Sequence, residues 1–269
     1  MAGGGGGAGG VVGPGHENPP EPAPGSSEGV TPLMYACQQG RDQTVRQILH
    51  RKPGSVQERD RYGKTALHYC AENPTLTCID QVLIADPGLM TARDEEGYTP
   101  LHLATIAGNR AVVKYLLSRG ADVTALDNEK HTVVHWATVC GEVDLLDALI
   151  DAGADATTPD IHGAYPLHYA AQMCGPNSEM GNDVRVGMMV LRKLLQRGVD
   201  VTVTDHDGRQ PLLWAASAGR TQGTRMGLNP ECKVQLQGIC VSVHETADAN
   251  FSTGFMESWI EESTIDLVG

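Results

Sequence analysis

Four histidines recur at nearly equal spacing and are the side chains best suited to chemistry. They are His68, His102, His135 and His168, separated by 34, 33 and 33 residues. Histidine can act as a metal ligand or as a general acid and base. Either role needs several such groups close together in space, so what matters is how the chain positions these four side chains.

No other pattern in the sequence supports catalysis. There is no GxSxG elbow, no HExxH zinc motif, no P-loop, and no GxGxxG after a strand pattern. The adjacent carboxylates Glu95 and Glu96 fall in a predicted turn, where solvated side chains are usual. We therefore expect a protein that is not an enzyme and that uses no cofactor, metal or small-molecule substrate.

The composition restricts the partners and the location. Asp and Glu number 33 against 20 Lys and Arg, for a formal net charge of −13. An acidic chain is repelled by nucleic acid and by anionic membrane surfaces, and no apolar run approaches the ~18 residues of a membrane span. Seven cysteines without a CxxC pair indicate reduced thiols, mostly core fillers. We expect a monomer without a secretory leader, located in the cytoplasm, with the nucleus as the alternative.

A recurring segment positions the histidines. The run Thr99-Pro100-Leu101-His102-Leu103-Ala104 has counterparts throughout, and the residues that precede the copies are 29, 63, 97, 130, 163 and 208. In each copy Thr or Pro begins a short apolar helix, Gly ends it in most copies, and a second helical pattern follows. The Asp-x-x-Gly run before the next copy is typical of a type I turn. Lys130 replaces the Gly once, which predicts a weaker turn there.

This repeat resembles the ankyrin repeat, whose period is about 33 residues. The resemblance covers residues 29–219 and implies an all-α solenoid with β-turn fingers, made of five full repeats and a partial sixth. It also implies that each recurring histidine links neighbouring repeats through hydrogen bonds to turn backbone. One histidine per layer, with layers about 10 Å apart, would leave no metal or catalytic cluster.

The pattern is absent on both sides of this array and interrupted once within it. Residues 1–28 are rich in Gly and Pro, which predicts a disordered leader. Residues 173–186 are predicted to be an inserted loop in the fifth repeat, and residues 220–269 an irregular acidic tail. Because the sixth repeat loses its pattern after Arg220, either the tail caps the array or the chain is a shortened form of a longer array.

By this resemblance, partner proteins bind the finger tips and the exposed ends of the first helices. These positions mix charges with three apolar side chains predicted to be exposed, Tyr62, Tyr98 and Ile161, a mixture that suits a protein partner. The full set is Arg61, Tyr62, Lys64, Glu72, Asn73, Glu95, Glu96, Tyr98, Ile106, Asn128, Glu129, His131, Ile161, His162 and Gln172.

Aromatic residues occupy the position after the recurring histidine, or after its counterpart, in five of six repeats. This aromatic column consists of Tyr35, Tyr69, Trp136, Tyr169 and Trp214. A column of this kind becomes a stripe along the concave side of a repeat stack. Two interpretations remain open: the rings pack between neighbouring first helices, or they anchor a bound peptide, since Tyr and Trp dominate binding hot spots.

The end of the chain carries one further candidate site. An acidic stretch precedes four residues that resemble a SUMO-interacting motif, which adds a strand to a sheet edge. These residues are Ile265, Asp266, Leu267 and Val268. A chance match to so short a motif is the alternative.

Together these patterns predict a protein-binding scaffold or adaptor that recognises partners through its finger tips and concave face. One alternative is a regulatory or shortened form of a longer ankyrin-repeat enzyme, channel or signalling scaffold whose effector domain is absent from this chain. Another is an unstable fragment whose last layer is exposed.

Overall fold

The structure is a computed structural model that describes residues 29–174 and 184–217. This part of the chain contains eleven α-helices, two short 3₁₀ helices and no strand, which confirms the all-α prediction. The helices are α1 (Pro32–Gln38), α2 (Asp42–Arg51), α3 (Ala66–Ala71), α4 (Leu76–Ala85), α5 (Pro100–Ile106), α6 (Arg110–Ser118), α7 (Val133–Val139), α8 (Val143–Asp151), α9 (Pro166–Met173), α10 (Val184–Gln196) and α11 (Pro211–Ser217). The 3₁₀ helices Pro53–Gln57 and Pro87–Thr91 follow α2 and α4.

The helices form two layers. Odd-numbered helices, the first of each repeat, pack against one another in chain order from α1 to α11. Even-numbered helices pack along the other side from α2 to α10, and each also contacts the odd-numbered helix before it. Because each repeat packs mainly against its immediate neighbours, the stack grows in one direction, as in a solenoid.

Local sequence explains where the first helices begin and end. At Thr99 and Thr132 the Oγ1 atom accepts a hydrogen bond from the backbone N–H three residues later, at 3.4 and 3.3 Å. This bond satisfies one of the donors that a helix N-terminus leaves free. Gly108 follows α5 with a φ of 63°, in the left-handed region that glycine enters most easily.

Small aliphatic side chains fill the space between the layers. In α7, Val133, Val134 and Ala137 are fully buried. Four of the five cysteines among the described residues are also buried, Cys37, Cys70, Cys78 and Cys174. Burial raises the pKa of the Cys78 thiol to about 11, which fits the predicted role of the thiols as core fillers.

Five turns project from the stack, and we number these fingers in chain order. They are Asp60–Gly63, Asp94–Gly97, Asp127–Lys130, Asp160–Gly163 and Asp205–Gly208. In the second finger, Oδ1 of Asp94 accepts hydrogen bonds from the N–H groups of Glu96 and Tyr98, at 3.1 and 2.8 Å. The aspartates of the other four fingers accept the same two bonds.

The third finger keeps this shape without its glycine. Lys130 has a φ of 63°, and its N–H donates to the Asp127 carbonyl at 3.1 Å, as Gly97 donates to Asp94 at 3.0 Å. The turn therefore keeps its geometry, and its lower stability stays a prediction. The substitution is accommodated as backbone strain, because a Cβ atom makes the left-handed region unfavourable.

The inserted loop is shorter than predicted. Met173 ends α9 with its side chain fully buried, and Val184–Val186 begin α10. The centre of the insertion, the predicted leader, and the tail with its Ile265–Val268 motif lie outside the described residues.

Candidate functional site

The finger tips form a row that backbone hydrogen bonds hold in register. The N–H of Glu95 donates to the Tyr62 carbonyl at 2.8 Å, and that of Asn128 to Glu96 at 3.0 Å. The series continues with Ile161 to Glu129 at 2.9 Å and His206 to His162 at 2.9 Å. Each finger is thus bonded to the next through main-chain atoms.

Eight of the predicted binding residues lie on these tips and are exposed. They are Arg61, Tyr62, Glu95, Glu96, Asn128, Glu129, Ile161 and His162. Tyr62 and Ile161 are 42% and 45% exposed, the only large apolar side chains on the described tips. His206 and Asp207 extend the row on the fifth finger. The binding-site prediction omitted them, although the Asp205–Gly208 turn signal marks their position.

The prediction that Tyr98 is exposed is wrong. Its side chain is half-buried, and its ring lies edge-on to the Trp136 ring, with centroids 5.4 Å apart. Tyr98 follows the last residue of the second finger, at the base where the next first helix begins, so neighbouring repeats cover it. Lys64 and His131 hold the same place after the first and third fingers and are likewise half-buried.

Residues predicted at the ends of the first helices divide between surface and packing. Glu72 is exposed, and its carboxylate lies 3.7 Å from the Lys64 ammonium. Asn73 is half-buried and donates its Nδ2 proton to the Gln38 carbonyl of the preceding repeat at 2.9 Å. Ile106 and Gln172 are half-buried. This part of the predicted set therefore includes at least one residue that joins repeats together.

The aromatic column is hydrogen-bonded to the finger aspartates. Tyr69 donates its hydroxyl proton to Oδ2 of Asp60 at 2.8 Å, and Trp136 donates Nε1–H to Oδ2 of Asp127 at 3.0 Å. Two further pairs repeat the contact nine residues apart, Tyr169 to Asp160 at 2.6 Å and Trp214 to Asp205 at 2.9 Å. Each of these rings is at least half-buried. These bonds favour the packing interpretation of the column, because its polar atoms are engaged within the protein.

Two repeats depart from this arrangement. Tyr35 is half-buried, and the guanidinium of Arg41 lies 5.9 Å from the centroid of its ring. Leu103 stands nine residues after Asp94 and has no donor to offer its carboxylate. Asp94 is only 9% exposed, and burial raises the pKa of its carboxyl.

The recurring histidines are neutral links between repeats. Nδ1 of His68 accepts the backbone N–H of Thr65 at 3.1 Å, so the single ring proton must be on Nε2. Nε2 then donates to the Tyr98 carbonyl of the next repeat at 3.0 Å. His135 and His168 make the same pair of contacts, with next-repeat carbonyl distances of 3.2 and 2.9 Å.

Burial keeps these rings uncharged. It lowers the pKa of His68, His102 and His135 to about 4. His102 differs in one respect, because its Nε2 has no hydrogen-bond partner among the described residues. The predicted linking role is thus correct for His68, His135 and His168.

Residues 29–174 and 184–217 hold no group of three or more His, Cys, Asp or Glu side chains placed to bind a metal ion. Within the same ranges, no helix is long and apolar enough to cross a membrane.

Comparison with known proteins agrees with this architecture. The family model described as "Ankyrin repeats (3 copies)" matches residues 14–88, 33–127 and 73–160. A search of curated proteins finds no match. Among solved structures, the crystal structure of the ankyrin repeat domain of Bcl-3, described as a unique member of the IkappaB protein family, is 26% identical. That match has a TM-score of 0.58 and covers 71% of this chain and 78% of that chain.

Proposed function

Because this chain belongs to the ankyrin repeat family, we propose that it is a scaffold or adaptor that binds a partner protein along its finger tips. Ankyrin repeat domains generally mediate protein–protein interactions rather than catalysis. The proposed site is the tip row from Arg61 to His162. We propose that the partner is a protein rather than a nucleic acid or a membrane. We also propose that the chain acts as a monomer in the cytoplasm.

One observation carries this proposal: the tip row is already ordered in the free protein. Four backbone hydrogen bonds join the five fingers, from Glu95–Tyr62 to His206–His162. A surface fixed in advance loses little conformational freedom on binding, so more of the contact energy becomes affinity.

The side chains on this row also have the character of an interface. Tyr62 and Ile161 are exposed apolar groups at opposite ends of the proposed site, separated by the polar tips of the second and third fingers. The guanidinium of Arg61 lies over the Tyr62 ring, 4.6 Å from its centroid. Tyr is enriched at binding hot spots, and Ile161 is the other exposed apolar side chain of the site, so we expect these two residues to be anchors in a surface that is otherwise polar.

The test replaces both anchors in the full chain. Tyr62→Ser with Ile161→Ser should leave the fold intact, because both side chains are substantially exposed. A partner recovered with wild-type bait should bind this variant at least about tenfold more weakly, a loss of about 1.4 kcal/mol. Quantitative mass spectrometry measures how much partner each bait recovers. Calorimetry then measures the dissociation constant of the purified pair.

A matched variant on the opposite layer controls for general loss of surface apolarity. Ile84 on α4 is 70% exposed and Met189 on α10 is 48% exposed, so Ile84→Ser with Met189→Ser removes comparable groups away from the tips. This control should retain the partner. If the control loses binding while the tip variant keeps it, the binding surface is the even-numbered helices and the tip proposal is wrong.

A further inference from the structure

His131 lies between two repeats and contacts an acidic group in each. Its Nδ1 is 3.1 Å from Oδ2 of Asp127, which belongs to the third finger. Its Nε2 is 3.3 Å from the Tyr169 hydroxyl and 3.6 Å from Oδ2 of Asp160, both in the next repeat. The side chain is only 13% exposed, so water has little access to these contacts.

The protons available to its neighbours determine which form of His131 fits this position. The Tyr169 hydroxyl has one proton, which it donates to Oδ2 of Asp160 at 2.6 Å, so towards His131 it can only accept. An ionised Asp127 can also only accept. Both ring nitrogens of His131 therefore face acceptors, and both need a proton. Only the positively charged imidazolium satisfies both contacts.

The charges around His131 favour the same form. Burial opposes charge on this ring, but the hydrogen bond to Asp127 and the charges of Asp127, Asp160 and Glu129 outweigh it and raise the pKa. Glu129 Oε2 lies 3.8 Å from Nδ1. The neighbouring ring of His135, with its centroid 5.4 Å away, is neutral because burial lowers its pKa to about 4. His131 thus has three acidic neighbours, Asp127, Glu129 and Asp160.

The same position holds a permanent cation elsewhere in the array. Arg209 follows the fifth finger as His131 follows the third, and its Nε donates to Oδ2 of Asp205 at 2.8 Å. Lys64 follows the first finger. A permanent cation therefore follows two of the five fingers, whereas Tyr98 and Ala164 follow the second and fourth. Among these five residues, histidine is the one whose charge changes near neutral pH.

We propose that a protonated His131 links the fourth and fifth repeats, and that losing this proton loosens the contact between the third and fourth fingers. With the neutral ring, one nitrogen lone pair faces an acceptor across a partly buried gap, which is repulsive. The backbone bond from Ile161 N–H to the Glu129 carbonyl joins the same two fingers, so it reports on the link directly. The proposal concerns contact between two repeats and holds whether or not the tips bind a partner.

Hydrogen exchange of single amides in the full chain, followed by NMR, tests the link. After correction for intrinsic exchange, protection of the Ile161 amide should fall about tenfold between about pH 6 and about pH 8. Two amides provide internal controls, because Asn128 and His206 make the equivalent bonds between other fingers. Their protection should change much less over this range.

Two variants separate charge from packing. His131→Arg places a permanent cation after the third finger, as Arg209 does after the fifth. This variant should keep Ile161 protected at both pH values. His131→Gln has no charge and should give low protection at both. His50→Gln, on the exposed last turn of α2, should behave as wild type.

Three results would overturn the proposal. One is Ile161 protection in the wild type that does not change with pH. Another is a fall in His131→Arg as large as in the wild type. The third is a direct NMR titration of the His131 ring in the wild-type chain that gives a pKa below about 6.5, the ordinary value.

Discussion

At the scale of single residues, the buried aspartate of each finger depends most strongly on hydrogen bonds from its neighbours. A buried carboxylate is unfavourable unless its oxygens accept hydrogen bonds. Oδ1 receives two backbone N–H groups in each of the five fingers, whereas Oδ2 depends on the side chain nine residues later. Burial by itself would raise the pKa of the Asp205 carboxyl, but hydrogen bonds from Arg209 and Trp214 outweigh this effect and lower the pKa to about 2. Asp94, opposite Leu103, keeps a raised pKa.

This dependence predicts the effect of removing one hydroxyl. Tyr69→Phe keeps the ring but leaves Oδ2 of the buried Asp60 without its donor at 2.8 Å. The free energy of unfolding should fall by about 1–2 kcal/mol, measured by urea denaturation of the full chain. Tyr62→Phe is the matched control, since Tyr62 is exposed and its hydroxyl accepts a hydrogen bond from the exposed Arg61 side chain. Equal losses in the two variants would mean that the Tyr69–Asp60 bond does not stabilise the fold.

At the scale of elements, the fingers show how a repeated turn tolerates an imperfect residue. Four fingers end in glycine with φ between 73 and 83°, whereas the third ends in Lys130 with φ of 63°. The hydrogen bonds are unchanged, so the difference lies in backbone strain. A non-glycine residue with φ in this region destabilises the fold by roughly 1–2 kcal/mol. Replacing it with glycine recovers only part of this free energy, because glycine also gives the unfolded chain more conformational freedom.

Lys130→Gly should therefore stabilise the protein by about 0.5–1 kcal/mol. The reverse change at the second finger should destabilise it: a Cβ atom at Gly97 would lie 2.6 Å from the Asn128 side-chain oxygen and 2.9 Å from the Asn128 nitrogen. Thermal unfolding of Lys130→Gly and Gly97→Ala checks both signs. A lower melting temperature for Lys130→Gly would show that the lysine side chain makes contacts worth more than the strain.

At the scale of the whole molecule, apolar layers and buried histidines hold the repeats together. Surface ion pairs also cross between repeats, such as Arg197 with Asp147 and Asp151 at 2.6 and 2.7 Å. Exposed pairs of this kind contribute little to stability. The bonds that His68, His135 and His168 make to the next repeat are largely buried, so protonation of these rings affects several layers of the array.

The resulting pH dependence has a definite sign. His68, His102 and His135 have a folded pKa of about 4, below the ordinary value of about 6.5 in the unfolded chain. The unfolded state therefore binds more protons, and stability present above pH 6.5 is lost as the pH falls towards 4. Each histidine adds a slope of up to roughly 1.4 kcal/mol per pH unit.

Urea denaturation between about pH 7 and about pH 4.5 measures this loss. Midpoints should fall steadily as the pH is lowered, starting near pH 6.5 rather than near the carboxylate range of about 4. His131 has the opposite sign, since its raised pKa adds stability below 6.5 that is lost as pH rises through the folded value. Midpoints that stay constant down to about pH 5 would mean that the buried histidines gain protons without unfolding the layers.

The sequence by itself determined the features that depend on residues close together in the chain. Thr99 begins a helix, Gly108 ends one, and Asp94 with Gly97 makes a turn, because capping and turn bonds span only two to four residues. The 33-residue period then placed these units in order and predicted the solenoid. The exposed tip residues Tyr62 and Ile161 follow from the turn positions alone.

Only the tertiary structure decided what happens between repeats. Tyr98 was predicted to be exposed and is covered by its neighbours, and His131 lies between carboxylates that are 33 residues apart in the chain. Burial and proton sharing depend on distances that stacking sets, and local patterns carry no information about those distances. The aspartate–aromatic bonds are an intermediate case. Their spacing of nine residues is visible in the sequence, but the hydrogen bond forms only when a helix folds back against the finger before it.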